Sequence, residues 1–352
     1  MQKEALERIR AIGLPTRHSE DWNYFPISLL AQAEGLRFIA DPSIPIEPKD
    51  DRNEERLSQA GISPKDFQVE SETDFAALLP IALGAQTLVK NIGKGESENG
   101  ILKAHDEFSH TVFRIGDGAR VSLEILENKI PRNLSAERLD FFVGANAQLE
   151  LFSTEESHAG ELKFRSIHVF QSENSQVDIL DFNRTESVRR IEVKVLLNGE
   201  NARFAFRELN RLSGEASENG FVRVQHNAPQ CKSHQFVRNL LSGASSMSYD
   251  GGVIASANCP GTDSSELVNT ILLSDDSKVR VKPTLKIYHD DVSCSHGNTV
   301  GSLDDEAIFY LTSRGIEKEK AEALLQQAFA KDLIAEHPGK AGRERLFKLL
   351  NA

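Results

Sequence analysis

The sequence predicts a mainly β protein, a β-solenoid with helical N-terminal and C-terminal parts, and three observations lead there. A corner motif recurs at a nearly fixed interval, the segments after it alternate apolar and polar residues, and both ends of the chain switch to helical spacing. The motif is a polar turn, a small residue, then alternation. It reads Gly118-Ala-Arg-Val-Ser-Leu, Asn146-Ala-Gln-Leu-Glu-Leu, Asn174-Ser-Gln-Val-Asp-Ile and Asn201-Ala-Arg-Phe-Ala-Phe, with Asp276-Ser-Lys-Val-Arg-Val as a later copy. Its small residues, Ala119, Ala147, Ser175 and Ala202, lie 28, 28 and 27 positions apart. A period of that size marks stacked units, each burying its apolar face on its neighbours. Asn and Gly tolerate the positive φ of a tight corner, and the alternating residues point into a narrow core. An antiparallel sandwich of hairpins with coincidental spacing is the alternative.

The chain divides into three parts, 1–80, 81–301 and 302–352. In the first, Ala5, Leu6 and Ile9 have helical spacing, with Pro15 as the stop. Trp22, the only tryptophan, sits in a mixed aromatic and acidic stretch. Three prolines between Asp41 and Pro48 predict an extended connector. A short helix is expected around Phe75, Leu78 and Leu79, and the whole region reads as a cap or arm. The second part is the solenoid. In the third, Ser302 and Asp305 have the spacing of a capping box, and Gly315 ends the helix that follows. Ala321, Leu324, Leu325, Ala328, Phe329 and Leu333 form one stripe of a second helix closed by Pro338, and Leu346, Phe347, Leu349 and Leu350 suggest a third. These helices are expected to cover the open end of the solenoid, to receive a partner, or both.

The chain has 352 residues, 39% of them hydrophobic, with 41 Lys and Arg against 53 Asp and Glu, a net charge of −12. That balance argues against nucleic acid or an anionic membrane as the main partner. No stretch approaches the ~20 apolar residues of a spanning helix, and Met1 to Arg10 lacks the apolar region of a secretory signal. Cys231, Cys259 and Cys294 are an odd, scattered set rather than a disulfide framework, which fits a cytoplasmic address.

Phosphate-loop, dinucleotide, zincin and nucleophile-elbow motifs are missing. His105 and His110 are five apart, a spacing that does not align two ligands on one helix face. His158, His168, His226 and His234 are scattered, with no local nucleophile. The informative segment is Tyr288 to Gly301. There Cys294 and His296, two apart, leave the same face of an extended strand. A thiolate and an imidazole presented together suit zinc, ferrous iron or an iron–sulfur cluster; burial of Cys294 as a small core residue is the alternative. Two ligands do not complete a four-coordinate site, so further ones would come from elsewhere, most naturally another subunit.

The run from Lys282 to Ile316, with Asp290-Asp-Val-Ser-Cys-Ser-His-Gly297 at its centre, resembles the C-terminal signature of the SufB/SufD family, its SufD branch in particular. Leu14-Pro-Thr-Arg-His-Ser-Glu-Asp-Trp-Asn-Tyr24 is similar to the start of such chains, and Asn269 to Ser274 to a less distinctive stretch. The resemblance implies a right-handed parallel β-helix between helical parts. It implies a non-catalytic scaffold subunit for iron–sulfur cluster assembly, pairing with a SufB-type subunit and with SufC, an ABC-type ATPase that would hydrolyse the ATP. It places His296 at the SufB–SufD interface where the cluster forms, with Cys294 beside it, and Phe309, Tyr310 and Arg314 in the region that meets SufC. Cluster or iron would then be held transiently and shared with the partner, none of it stably by the isolated chain, for which a homodimer is a further expected state. Lys286 and Asn298 depart from the Glu and Ala usual in the family, which leaves room for a different partner surface. Two readings of other classes are a β-helix carbohydrate-active enzyme and a zinc-bridged homodimer.

Overall fold

A computed structural model of the chain describes residues 1–16, 18–41, 43–46, 52–67, 72–103, 107–126, 133–155, 159–335 and 340–350. His105, His158, Pro338 and parts of the proline-rich connector lie outside the described residues.

The body is a parallel β-solenoid of two eight-stranded sheets. Numbered in chain order, the first sheet holds β1 (Thr87–Ile92), β3 (Phe108–Ile115), β5 (Leu134–Val143), β7 (Leu162–Gln171), β9 (Val188–Leu197), β11 (Ser217–His226), β13 (Ser246–Ala255) and β15 (Lys278–Ile287). The second holds β2 (Ser97–Lys103), β4 (Arg120–Leu126), β6 (Gln148–Glu155), β8 (Gln176–Asn183), β10 (Arg203–Leu212), β12 (Lys232–Leu241), β14 (Thr262–Leu272) and β16 (Val292–Gly301). Every pairing within these sheets is parallel, which removes the hairpin sandwich.

The corners follow the chemistry read from the motif. Gly118, Asn146, Asn174 and Asn201 have φ of +66°, +58°, +54° and +58°. Each donates its N–H to a carbonyl of the next turn, Ala145, Glu173, Glu200 and Pro229 in order, at 2.8–3.1 Å. The small residue that follows is buried in every case. A fifth corner, Gln230 at φ +58° followed by buried Cys231, escapes the motif because neither residue is a usual corner type. The Asp276-Ser277 copy corrects the repeat in another way. It opens β15 in the first sheet, half a turn from the four corners it resembles, which all open strands of the second. The turns also lengthen along the solenoid. Thr87 pairs with His110, 23 positions on, Leu134 with Leu162, 28 on, and Ser246 with Lys278, 32 on.

Inside, aliphatic and aromatic residues from Ile92 to Val268 form one continuous core. Both ends of the chain lie on the outside of this tube. The N-terminal part comprises α1 (Gln2–Ile12), α2 (Ser28–Gln32), α3 (Arg37–Ala40), α4 (Asn53–Gln59) and α5 (Phe75–Ala82). Gly13, at φ +73°, ends α1 two residues before Pro15. The Asp74 carboxylate accepts the Ala76 N–H and caps α5. Trp22, Phe25 and Phe75 pack on Phe164 in an apolar cluster that also takes in Val112, Leu134 and Leu162 from the outer face of the first sheet.

The C-terminal helices are α6 (Asp305–Ser313), α7 (Lys318–Ala335) and α8 (Lys340–Leu350). The cap of α6 is Asp304 rather than Ser302: its carboxylate accepts the N–H groups of Glu306 and Ala307, for which Ser302 lies too far upstream. Gly315, at φ +85°, follows the helix. The stripe expected on α7 is partly wrong, since Leu324 and Ala328 are exposed while Ala330 joins Ala321 and Leu333 in burial. The expected covering of the open end is also corrected. Ala330, Leu333 and Leu346 pack on Phe152, Leu180, Phe182 and Leu209, which belong to the outer face of the second sheet. These helices shield the side of the solenoid, because the apolar residues that need covering in β6, β8 and β10 face outward there.

Candidate functional site

The solenoid therefore ends on two strands, β15 and β16, each paired on one side only. Cys294 stands opposite Ser264 and His296 opposite Glu266 in the register of β14 with β16. Following the registers inward, Cys294 shares a column with Ser264, Ser233 and Phe204, and His296 shares one with Glu266, Gln235 and Phe206. All six of those residues are buried, so both side chains belong to the inner face of the final turn. No further turn covers them: His296 is exposed and Cys294 half-buried. Burial pushes the Cys294 thiol up, and nearby Cys259 and Asp263 add to the effect. Among the described residues neither belongs to a set of three donor side chains within metal-binding reach.

Behind this mouth the lumen turns polar. Ser264 hydrogen-bonds Ser233 at 2.8 Å, and Ser233 bonds His226 Nε2 at 2.9 Å, with His226 pushed down to about 4 by burial. Tyr249 donates to Gln235 at 2.8 Å. Glu266 is pushed up to about 7, chiefly by burial, against the opposing pull of Arg223. Gly251 faces it, and a Cβ at that glycine would come within 2.1 Å of the carboxylate, so the missing side chain makes the room Glu266 occupies.

Beyond the mouth, α6 buries none of its residues. Phe309 is 74% and Tyr310 56% exposed, and the Arg314 guanidinium lies 4.9 Å from the Tyr310 ring centroid. Two adjacent aromatic side chains left in water beside a cation form a compact apolar anchor of the kind found at protein interfaces.

A second cluster was invisible to local reading. Under the N-terminal cap, Glu72, His168 and Glu192 place one donor atom each within 4.8 Å of one another. Their chemistry is that of an ion-pair network. Arg138 donates to His168 Nδ1 at 3.1 Å, and a guanidinium only donates, so the ring hydrogen sits on Nε2, which faces Glu192 Oε1 at 3.1 Å. That nitrogen has no lone pair for a metal. Lys194 Nζ already neutralises Glu192 at 2.7 Å and also bonds Glu72. The network continues through Asp140 to His110, and Arg190 joins Asp74 of the cap to the sheet at 2.6 Å. The period read from the corners could have found part of it. Arg138 lies 28 positions after His110, and His168 lies 28 after Asp140, and both are register partners. Beside this cluster, on the outer face of the first sheet, lies a cavity of about 350 Å³ lined by residues including Phe67, Glu72, His168, Lys194, Arg223 and Lys286.

Known sequences set this geometry in context. A family model described as SUF system FeS cluster assembly, SufBD core domain, matches residues 97–329. The chain belongs to the SufBD family. It is 26% identical to the iron–sulfur cluster assembly protein SufD of Escherichia coli (strain K12), over 94% of this chain and 87% of that protein. It is also 21% identical to a SufBD family protein of Mycobacterium leprae (strain TN), over 96% of this chain and 90% of the relative. A 34% match to a SufBD family protein of Mycobacterium tuberculosis (strain ATCC 25618 / H37Rv) covers 35% of this chain and 33% of that protein. The resemblance read from Lys282 to Ile316 is borne out, and with it a role in iron–sulfur cluster assembly. The segment matched by the family runs from β2 into α7, so it takes in the open mouth and α6 and leaves out the N-terminal cap. No helix among the described residues is long and apolar enough to cross a membrane.

Proposed function

We propose that this SufBD-family chain is a non-catalytic, cytoplasmic scaffold subunit that joins a SufB-type subunit through β15 and β16 and receives a SufC-type ABC ATPase on α6. In this reading residues 1–80 brace the scaffold, 81–301 carry the assembly edge, and 302–352 carry the ATPase contact. The observation behind it is the uncovered last turn, where two unpaired strand edges flank Cys294 and His296. Unpaired backbone groups give affinity by strand addition, and the side chains of the end turn set the chemistry of the joint. A cluster is cargo here. One thiol and one imidazole satisfy two positions of a four-coordinate iron, so the partner supplies the rest and the isolated chain holds no cluster durably. ATP binding by the docked subunit would shift the joint between two states only as far as it binds them differently.

The test is co-expression with SufB-type and SufC-type subunits under anaerobic conditions, reading cluster absorbance of the purified complex. His296→Ala is expected to leave the melting temperature unchanged, because the side chain is exposed on an edge strand, and to abolish most of the absorbance. Undiminished cluster formation would remove His296 from the site. Replacing Phe309 and Tyr310 together by alanine is expected to weaken SufC-type binding by about 2 kcal/mol or more, roughly 30-fold, as for a buried aromatic anchor. Unchanged binding in a titration would move the ATPase contact off α6.

A further inference from the structure

The cavity beside the N-terminal network is a trough whose floor changes character along its length. On one outward row of the first sheet, register partners run from Phe170 in β7 through Leu196, Gln225 and Ile254 to Lys286 in β15, and all five line the cavity. The row crosses four strand spacings, about 19 Å in all. Phe170, Leu196 and Ile254 are half-buried apolar side chains. The Gln225 amide donates to Asn227 at 2.8 Å, so it is turned along its own strand. One end of the trough is closed, where Phe170 stacks on Phe142 at 4.7 Å and Phe67 of the cap packs edge-on against Phe142 at 5.8 Å. At the other end Lys286 is exposed, and Thr284, two positions earlier on the strand, shares its face.

The charges around the trough pair off except at that open end. Glu72 has Lys194, Asp21 has Arg223 at 3.9 Å, and Glu20 has Lys282 at 2.8 Å. Arg223 is held more closely by Asp250, at 2.7 Å. Among the described residues Lys286 makes no ion pair and the Thr284 hydroxyl no hydrogen bond. A spare cation beside a free hydroxyl, at the head of an apolar row, matches a single acid group with a hydrocarbon tail. We infer that the cavity binds a medium-chain monocarboxylate, its acid group on Lys286 and Thr284 and its tail along Ile254 and Leu196 towards Phe170. A volume of about 350 Å³ lies at the small end of ligand pockets, which limits the tail to medium length. Each methylene laid on the row leaves water, and the carboxylate gains a charge-assisted hydrogen bond from the lysine. Asp21, Phe67 and Thr73 of the N-terminal part line the same cavity, so the bound acid touches cap and sheet together and holds one to the other.

This site is separate from the strand-addition reading and needs no partner subunit. The test is calorimetric titration of the full chain at neutral pH with hexanoate, octanoate and decanoate, with decanol as the uncharged control. One saturable site is expected, tightening by about fivefold or more at each two-carbon step. Lys286→Gln should weaken decanoate by about tenfold or more and leave decanol unchanged. Ile254→Thr keeps a β-branched residue in the strand but puts a hydroxyl under the tail, and should flatten the gain from octanoate to decanoate. Bound decanoate should also raise the denaturant midpoint read from Trp22 fluorescence, and raise it less in Lys286→Gln. The midpoint without ligand reports that each variant is folded. The assignment is overturned if decanoate does not bind, binds at many unsaturable sites, binds no better than hexanoate, or binds Lys286→Gln as tightly as the wild type.

Discussion

Arg138→Met is expected to cost the folded chain about 3–5 kcal/mol and to loosen the N-terminal cap first. The guanidinium is fully buried and holds both Asp140 oxygens, at 2.8 and 3.0 Å, together with His168 Nδ1 and the carbonyls of Phe67 and Ala77. Burial pushes the Asp140 carboxyl up, but Arg138 and a hydrogen bond from His110 outweigh it and hold it well below the usual carboxylate range. A carboxyl depressed on folding contributes stability above its unfolded pKa of about 3.9, and that contribution is lost only as pH falls towards the folded value. At neutral pH the variant therefore leaves a buried charge with half its partners gone. Trp22 makes the experiment local, because the only tryptophan lies in the cap, packed on Phe75 and 4.0 Å from the Arg190 guanidinium. Denaturant unfolding followed by its fluorescence should shift to lower midpoint, and the double variant Arg138→Met, Asp140→Leu should recover much of the loss. A loss under about 1 kcal/mol would mean that the apolar cluster around Trp22 holds the cap without this pair.

Glu208→Gln is expected to stabilise the chain, and to do so more at pH 9 than at pH 6. Glu208 sits in the lumen, fully buried, with neither carboxylate oxygen hydrogen-bonded. Burial pushes it up to about 8, Asp181 pushes the same way, and Arg189 only partly opposes them. Folding thus takes up a proton that the unfolded chain, with an ordinary glutamate, releases. Stability falls as pH rises from about 4.5 to about 8 and levels off above, with a ceiling near 5 kcal/mol for the full shift. Glutamine keeps the shape and removes the titration. Melting curves of the two proteins should be closest near pH 4.5, already apart by about 2 kcal/mol at pH 6 and widest towards pH 9; a gap that ignores pH would show that Glu208 does not titrate there. Glu218, which accepts from Asn183 at 2.7 Å, is also pushed well up by burial and further by Glu208, so the substitution relieves part of that push and adds to the gap at high pH.

Alternation explains why these lumen charges escape local reading. In β8, Val177 and Ile179 face inward, but the next inward residues are Asp181 and Asn183, while Leu180 and Phe182 face outward under α7 and α8. A strand covered on both faces no longer separates apolar from polar by parity, so a pattern search assigns its charges to solvent. Asp181 is neutralised from the opposite sheet by Arg189, at 2.8 and 3.0 Å. The N-terminal network has the same character over longer distances, since Asp74 and Arg190 are 116 positions apart.

What the amino-acid order determined alone is local: the left-handed Gly and Asn of the corners, the small residue behind them, and the shared parity of Cys294 and His296. Each depends on sterics within a few residues, which hold wherever the segment sits. Only the tertiary structure decided that the terminal helices lie along the sides of the solenoid, that the last turn stays open, and that buried cations meet buried acids one turn away. Those outcomes follow from which distant faces have apolar area to bury together, and a turn that lengthens from 23 to 32 residues hides that pairing from any fixed period.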